Sequence, residues 1–349
     1  MFSTYKSDDV TILLKDITGM VKPLGTEDRE IRIQNGTHYS EMLPLEYEPS
    51  KQYLEMFFKA LESYSEMTAD AVAVVAEKIC KEKKDEIVLV SLARAGTSVG
   101  ILIKRYIEQI IGRKAYHYTI SIIRGRGIDR NAMSYILAKH KGESIQFIDG
   151  WIGKGAILNE LKKEMAIYPG VSDGLAVLSD PAGVAEKSGT NDDFLIASSC
   201  LNSTVSGLLS RTFYRSDIIG PSEFHGAAFY KELLDKDLTY TFIDSVVRSF
   251  RTAVPASDGE RPQMSGIDEV RRICSDFNMN DINLVKPGIG EATRVLLRRM
   301  PWKILVRSMD DQDHLGHLYQ LSAEKGVELV EYPLINYRAC GLIRSLADS

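Results

Sequence analysis

Glu86-Ile87-Val88-Leu89-Val90-Ser91-Leu92, followed by Ala93-Arg94-Ala95-Gly96-Thr97, decides the fold. Its centre is a short, unbroken apolar run, the pattern of a parallel strand buried on both faces. Small residues and an arginine then open a helical pattern that reaches Ile111. The unit recurs. Ala115 to Ile123 reads as a strand closed by Arg124-Gly125-Arg126-Gly127, with a helix to His140. Ile145 to Ile148 reads as a strand closed by Asp149-Gly150-Trp151-Ile152-Gly153-Lys154-Gly155, with a helix to Met165. Leu175 to Leu178 and Phe194 to Ala197 add two expected strands. This alternation predicts an α/β fold with a doubly wound parallel sheet.

Outward from that core, the segment to about Pro49 is polar and irregular, and two helices are expected over 50–65 and 68–83. Thr252 to Gly266, with Pro255, Gly259, Pro262 and Gly266, has the composition of a linker. Beyond it, strands are expected at 284–285, 304–306 and 327–330. Helices are expected at 291–299, 313–325 and 337–346. The resulting division is 1–251, a linker at 252–266, and a small α/β domain at 267–349. With 349 residues, two domains are the size expectation.

A net charge of -5 argues against a surface coated for nonspecific nucleic-acid binding. Cys80, Cys200, Cys274 and Cys340 are scattered, so neither a disulfide framework nor a cysteine zinc site is suggested. No signal peptide or bilayer-length apolar stretch is present, so the expected location is cytoplasmic, with no membrane partner.

Three successive strands end in glycine and charge. Glycine lets backbone N–H groups approach an anion, and the next helix offers its positive end. Arg94, Arg124, Arg126 and Lys154 add full charges, and Asp149 offers a carboxylate for ribose hydroxyls or Mg²⁺. A Walker loop does not fit, because Gly150 and Gly153-Lys154 are too close and Gly155 stands where Ser or Thr is needed.

At these residues the chain resembles phosphoribosyltransferases. More narrowly, SLARAGTSVG, SIIRGRGID, FIDGWIGKGAI, SSCLNSTVSGLLSRT and FHGAAFY resemble the phosphoribosyltransferase-related proteins of bacterial tellurite-resistance (Ter) stress operons. That group is also labelled the StiP-type cysteine protease family. The part from Lys286 to Ile343 resembles its Pelota-like RNA-binding module. The resemblance implies binding of 5-phosphoribosyl diphosphate with Mg²⁺ and ribosyl transfer to a base or other acceptor. Arg94, Ala95 and Gly96 would hold the diphosphate. Asp149 would contact the ribose hydroxyls, and the backbone amides of Gly153, Lys154, Gly155 and Ala156 would hold the 5-phosphate. Gly150 and Trp151 belong to the same ligand loop, where Trp151 either covers a ligand ring or packs against the next helix. The loop departs from the usual pattern, with Gly150 replacing a second acidic residue. The partners implied are a phosphorylated sugar or nucleotide and RNA through 267–349; a homodimer is a further expectation.

The protease label gives a second reading. Cys200 follows an expected strand and opens an expected helix, where a thiol acquires a lowered pKa. His225 is its candidate base, with Asp237 or Asp244 as orienting groups. The competing reading of Cys200 is a small residue buried under a strand. In the last domain, Lys286, Arg294, Arg298, Arg299 and Arg307 form a basic cluster suited to an RNA backbone, or else a solvated helix face. His314 and His317, near Asp310, Asp311 and Asp313, read as ordinary helix-start chemistry and not as metal ligands.

Overall fold

The computed structural model describes residues 2–252 and 264–344. Most of the expected linker therefore lies outside the described residues. The first unit contains, in chain order, β1 (Thr11–Ile12), α1 (Thr26–Gln34), α2 (Lys51–Glu82), β2 (Val88–Leu92), α3 (Ala95–Tyr106), β3 (Tyr116–Ile120), α4 (Arg130–Leu137), β4 (Ile145–Ile148), α5 (Ala156–Met165), β5 (Leu175–Ser179), β6 (Lys187–Thr190) and α6 (Thr239–Val247). The six strands of its main sheet lie in the order β1-β3-β2-β4-β5-β6, all parallel. The chain moves from β2 to β3 on one side and then to β4 on the other. The crevice between β2 and β4 is thus the topological switch point of the sheet, where α/β folds place ligands.

Chain geometry at that point depends on Gly96. A Cβ there would lie 2.5 Å from the Ile148 carbonyl oxygen and 3.1 Å from the Asp149 Cα. The start of α3 can press against the end of β4 only without a side chain. The two expected helices over 50–83 are one, α2. No glycine or proline interrupts it. Ser65 and Thr68, where the two expected helices ended and began, turn their hydroxyls back onto the carbonyls of Leu61 and Tyr64 at 2.6 Å each.

Phe194 to Ala197 is not a strand. The sheet edge is taken by β6, whose Lys-Ser-Gly-Thr sequence has no apolar run to announce it. Gly189 lets β6 lie on α2, since a Cβ there would meet Ala71 at 2.6 Å. Phe194 to Ile196 instead bury their side chains in the core and lead into a 3-10 turn, Ala197–Cys200. The expected N-terminal irregularity also gives way in part, because β1 extends the parallel sheet beside β3.

The second unit contains α7 (Gly266–Asp276), β7 (Val285–Pro287), α8 (Ile289–Arg298), β8 (Pro301–Val306), α9 (Gln312–Lys325), β9 (Glu328–Glu331) and β10 (Ala339–Ile343). Its sheet order is β7-β10-β8-β9, with β10 antiparallel to both β7 and β8, and β8 parallel to β9. The helix expected over 337–346 is therefore wrong: this apolar stretch is β10, inside the sheet. Gly341 brings it under α8, where a Cβ would meet Val295 at 2.8 Å.

One apolar core runs through both units. Phe57, Ala60 and Leu61 of α2 belong to the same buried cluster as Val295, Leu296, Leu315 and Leu318 of α8 and α9. Polar contacts close the rest of the seam. The Asp193 carboxylate accepts the Ile289 N–H at 2.9 Å and the Arg338 N–H at 2.9 Å, capping α8 from the other unit. Burial pushes that carboxyl up to about 6, against the pull of these N–H groups. Tyr337 donates its hydroxyl to the Gly153 carbonyl, and Tyr64 donates to the Asp313 carbonyl at 2.9 Å.

Candidate functional site: a cationic cleft between the two units

The carboxyl ends of β2 and β4 open into a cavity of about 770 Å³. Arg94 and Asp149, read from sequence as partners in one site, both line it, as does Ala95. Arg94 is fixed by two hydrogen bonds, from Nη1 to the Leu209 carbonyl at 2.9 Å and from Nη2 to Asn202 Oδ1 at 3.2 Å. The Asp149 carboxylate accepts the Gly150 N–H at 2.7 Å. Burial raises its carboxyl to about 7, although the Gly150 N–H and the Arg294 charge pull the other way.

The rest of the wall was not legible as a site. Arg29 comes from α1, the 44–50 segment supplies Glu46, Tyr47 and Glu48, and Arg211 comes from the loop after Cys200. The second unit supplies Lys286, Glu291, Arg294 and Arg299. Six cations thus face four carboxylates. Arg211 lies with its guanidinium 5.3 Å from the Tyr39 ring centroid. Burial, and then the charges of Arg29, Arg94 and Arg299, push it down to about 10. Of the basic residues expected in the second unit, Arg307 instead ties the Tyr337 and Ile335 carbonyls, and the Arg298 side chain lies outside the described residues.

Several residues read as phosphate ligands do other work. Lys154 sends its ammonium into the second unit, to the carbonyls of Ile282 and Val285, the latter at 3.1 Å. Burial, and next Lys286, lower it to about 8. The Gly153–Gly155 turn is covered by the second unit, with Gly155 in the left-handed region at φ +83° before Ala156 begins α5. Gly96 and Gly150 shape the crevice without lining it. Trp151 packs under Arg294, whose guanidinium stands 4.9 Å from the ring. Arg124 donates to Asn283 Oδ1 at 2.9 Å, and Arg126 pairs with Glu41. Lys154, Trp151, Arg124 and Arg126 do not line the cleft. As a Mg²⁺ site, Asp149 is a poor fit. Among the described residues there is no group of three or more His, Cys, Asp or Glu arranged for a metal.

Cys200 ends the Ala197–Cys200 turn, is fully buried and belongs to the shared core. It does not open an α-helix, so the expected thiol-lowering helix end is absent at this position. Leu201 and Asn202, the next two residues, do line the cleft. Arg294 reaches the neighbouring Ser199 carbonyl through Nε at 3.1 Å. His225 is not among the cleft residues. Its Nδ1 bonds Ser121 Oγ at 2.9 Å, its N–H donates to Asp129 at 2.6 Å, and its ring tilts against Tyr214. Burial lowers its pKa. Asp237 caps Thr239 and Asp244 pairs with Arg105, so neither expected orienting group touches His225.

Fold and cleft together define a two-unit α/β protein with a cationic cleft lined by residues of both units. The model described as "Tellurite-like stress resistance cysteine protease StiP" matches residues 3–247, and the PELOTA RNA binding domain matches 264–345. The chain is 37% identical to the cysteine protease StiP of Acinetobacter baylyi (strain ATCC 33305 / BD413 / ADP1), over 98% of this chain and 94% of that protein. This chain belongs to the StiP family.

Solved phosphoribosyltransferases are more distant. A hypoxanthine-guanine phosphoribosyltransferase from Bacillus anthracis is 18% identical, with 36% of this chain and 77% of that chain covered at a TM-score of 0.28. A hypoxanthine phosphoribosyltransferase from Trypanosoma cruzi is 15% identical, with 55% and 98% covered and a TM-score of 0.28. Superposition at that level supports nothing about the chemistry of this chain. Among the described residues, no helix is long and apolar enough to cross a membrane.

Proposed function

We propose that this chain is an enzyme, a cysteine peptidase of the StiP family, which binds an anionic substrate in the inter-unit cleft. The observation that carries the reading is the place of Cys200. In a chain 37% identical along its length to a named cysteine protease, this thiol immediately precedes the Leu201-Asn202 wall of the cationic cleft. The chemistry is attack of the Cys200 sulfur on a peptide carbonyl carbon; the C–N bond breaks, the amine leaves with the thiol's proton, and water hydrolyses the resulting thioester to the acid and the free thiol. The buried thiol reaches substrate only when the Ala197–Cys200 turn rotates outward. His225, held by Ser121 and Asp129, is not placed to be its base. The test is hydrolysis of a quenched library of acidic peptides, together with labelling by a thiol-reactive probe. Cys200→Ser should abolish hydrolysis and the label mapped to residue 200; hydrolysis undiminished in that variant eliminates the peptidase reading.

A second reading is favoured by the meeting of Arg94 and Asp149 at the switch point. In it, the cleft binds 5-phosphoribosyl diphosphate, with Arg94 and neighbouring cations on the diphosphate and Asp149 on the ribose hydroxyls. Neutralising a departing diphosphate in this way would lower the barrier to ribosyl transfer. Calorimetric titration with the diphosphate and Mg²⁺ tests it, and absence of binding heat removes it. The match of 264–345 to an RNA-binding domain supports RNA as a partner in either case.

A further inference from the structure

We propose that Arg294 is a latch on the turn that carries Cys200. An anionic group entering the cleft, phosphate or carboxylate, draws the Arg294 guanidinium off the Ser199 carbonyl, and the released Ala197–Cys200 turn presents its thiol to the cavity. This rests on the reading of Cys200 as the nucleophile of the cleft. It adds regulation: the second unit keeps the thiol covered until an anion arrives.

Arg294 joins the turn to the cavity. Its Nε donates to the Ser199 carbonyl at 3.1 Å, one residue before Cys200, and its Nη1 pairs with Glu291 at 3.2 Å. The residue lines the cleft, its side chain is 29% exposed, and Nη2 makes no hydrogen bond among the described residues. An anion in the cleft therefore meets a guanidinium with a donor to spare. Two forked bonds to a charged group are stronger than one bond to a neutral carbonyl, so the exchange favours release of Ser199.

Trp151 gives the latch a surface on which to move. The guanidinium stands 4.9 Å from the ring centroid. Attraction to the ring persists to about 6 Å, so Arg294 can shift by about an ångström and keep its shelf. The turn is poised as well. The Ser199 hydroxyl is buried with no hydrogen-bond partner among the described residues, and outward rotation gives it water. A cavity of about 20 Å³, lined by Trp151, Ser199, Gly290 and Glu291 among others, leaves the packing there loose. Against rotation stand the burial of Cys200 in the core and the Arg294 bond. An anion that removes the second of these interacts differently with the two states of the turn, which is what shifts their populations.

Iodoacetamide labelling of the folded full chain, resolved by position with mass spectrometry, measures access to Cys200. Cys274, which is partly exposed, serves as the internal reference, and buried Cys340 reports any general loosening of the second unit. Tripolyphosphate or polyglutamate at saturation should speed labelling of Cys200 about tenfold, the worth of one hydrogen bond to a charged group. The Cys274 and Cys340 rates should not move. Arg294→Ala should label Cys200 at the faster rate without an anion and gain nothing from one. Acceleration by either anion supports the latch and tells whether phosphate or carboxylate trips it. A Cys200 rate that neither anion raises, an anion effect that survives Arg294→Ala, or Cys200 labelling that rises only together with Cys340 overturns the proposal. Gated labelling with no peptide hydrolysed leaves the latch standing and removes the peptidase reading. Hydrolysis that Cys200→Ser abolishes, with labelling that no anion moves, does the reverse.

Discussion

Asp149→Asn should stabilise the protein at alkaline pH. The Asp149 carboxyl ionises in the unfolded chain near 3.8 and in the folded protein near 7, because burial disfavours its charge. A carboxyl whose folded value is the higher one opposes folding when it ionises. The penalty is absent below about pH 4, grows between 4 and 7, and is complete above 7. Moving ionisation across that interval corresponds to about 4 kcal/mol at 1.36 kcal/mol per tenfold. The residue still touches solvent on the cleft wall, so screening reduces the figure to about 2–3 kcal/mol. Asparagine keeps an oxygen to accept the Gly150 N–H and carries no charge. Urea denaturation of both proteins at pH 4.5 and pH 8.5 gives the double difference, in which every other titrating group cancels. The variant should gain about 2–3 kcal/mol at pH 8.5 relative to its difference at pH 4.5. A difference that does not change with pH, or a variant less stable at pH 8.5, refutes the reasoning. The same substitution should weaken whatever contacts that carboxylate in the cleft, as is usual where stability yields to function.

Asp193→Ala leaves the Ile289 and Arg338 N–H groups unpaired in the seam and should cost about 2–4 kcal/mol, visible as a lower urea midpoint and faster proteolysis between the units. Lys154→Ala should lower stability by about 2 kcal/mol through loss of its carbonyl contacts while leaving tripolyphosphate affinity unchanged in a competition assay; loss of that affinity would restore its phosphate role. Gly96→Ala drives a Cβ into the Ile148 carbonyl, so a melting temperature lowered by several degrees is expected, consistent with about 1–3 kcal/mol of overpacking.

The sheet was legible because its central strands are nearly continuous apolar runs between glycine-bearing turns. Val88–Leu92 and Ile145–Ile148 are buried throughout, and burial on both faces is what such composition records. Two strands were not legible, for different reasons. Lys187–Thr190 is an edge strand that pairs on one side only and carries polar residues, and Ala339–Ile343, inside the second sheet, is short enough for its apolar run to suit helix or strand. At the site, Arg94 and Asp149 could be paired because strand-end residues of neighbouring parallel strands converge by topology. Arg211, Tyr47 and Arg29 could not, because long irregular segments bring them in and no periodicity records where such segments go. Lys154 misled for a related reason: a lysine beside glycines has the local chemistry of a phosphate ligand, and only the second unit, more than a hundred residues later, claims its ammonium. Cys200 misled because a serine- and threonine-rich stretch favours a helix start, whereas the chain makes two 3-10 turns there.

The long helix α2 carries a consequence for biosynthesis. Its residues emerge from the ribosome early, yet the partners of Phe57, Ala60 and Leu61 on α8 and α9 are made more than two hundred residues later. Until then the nascent chain bears a greasy stripe on an otherwise finished sheet, a natural holding point for a chaperone. A stop codon between the units would leave that stripe bare, and the truncated product should form inclusion bodies instead of a working half.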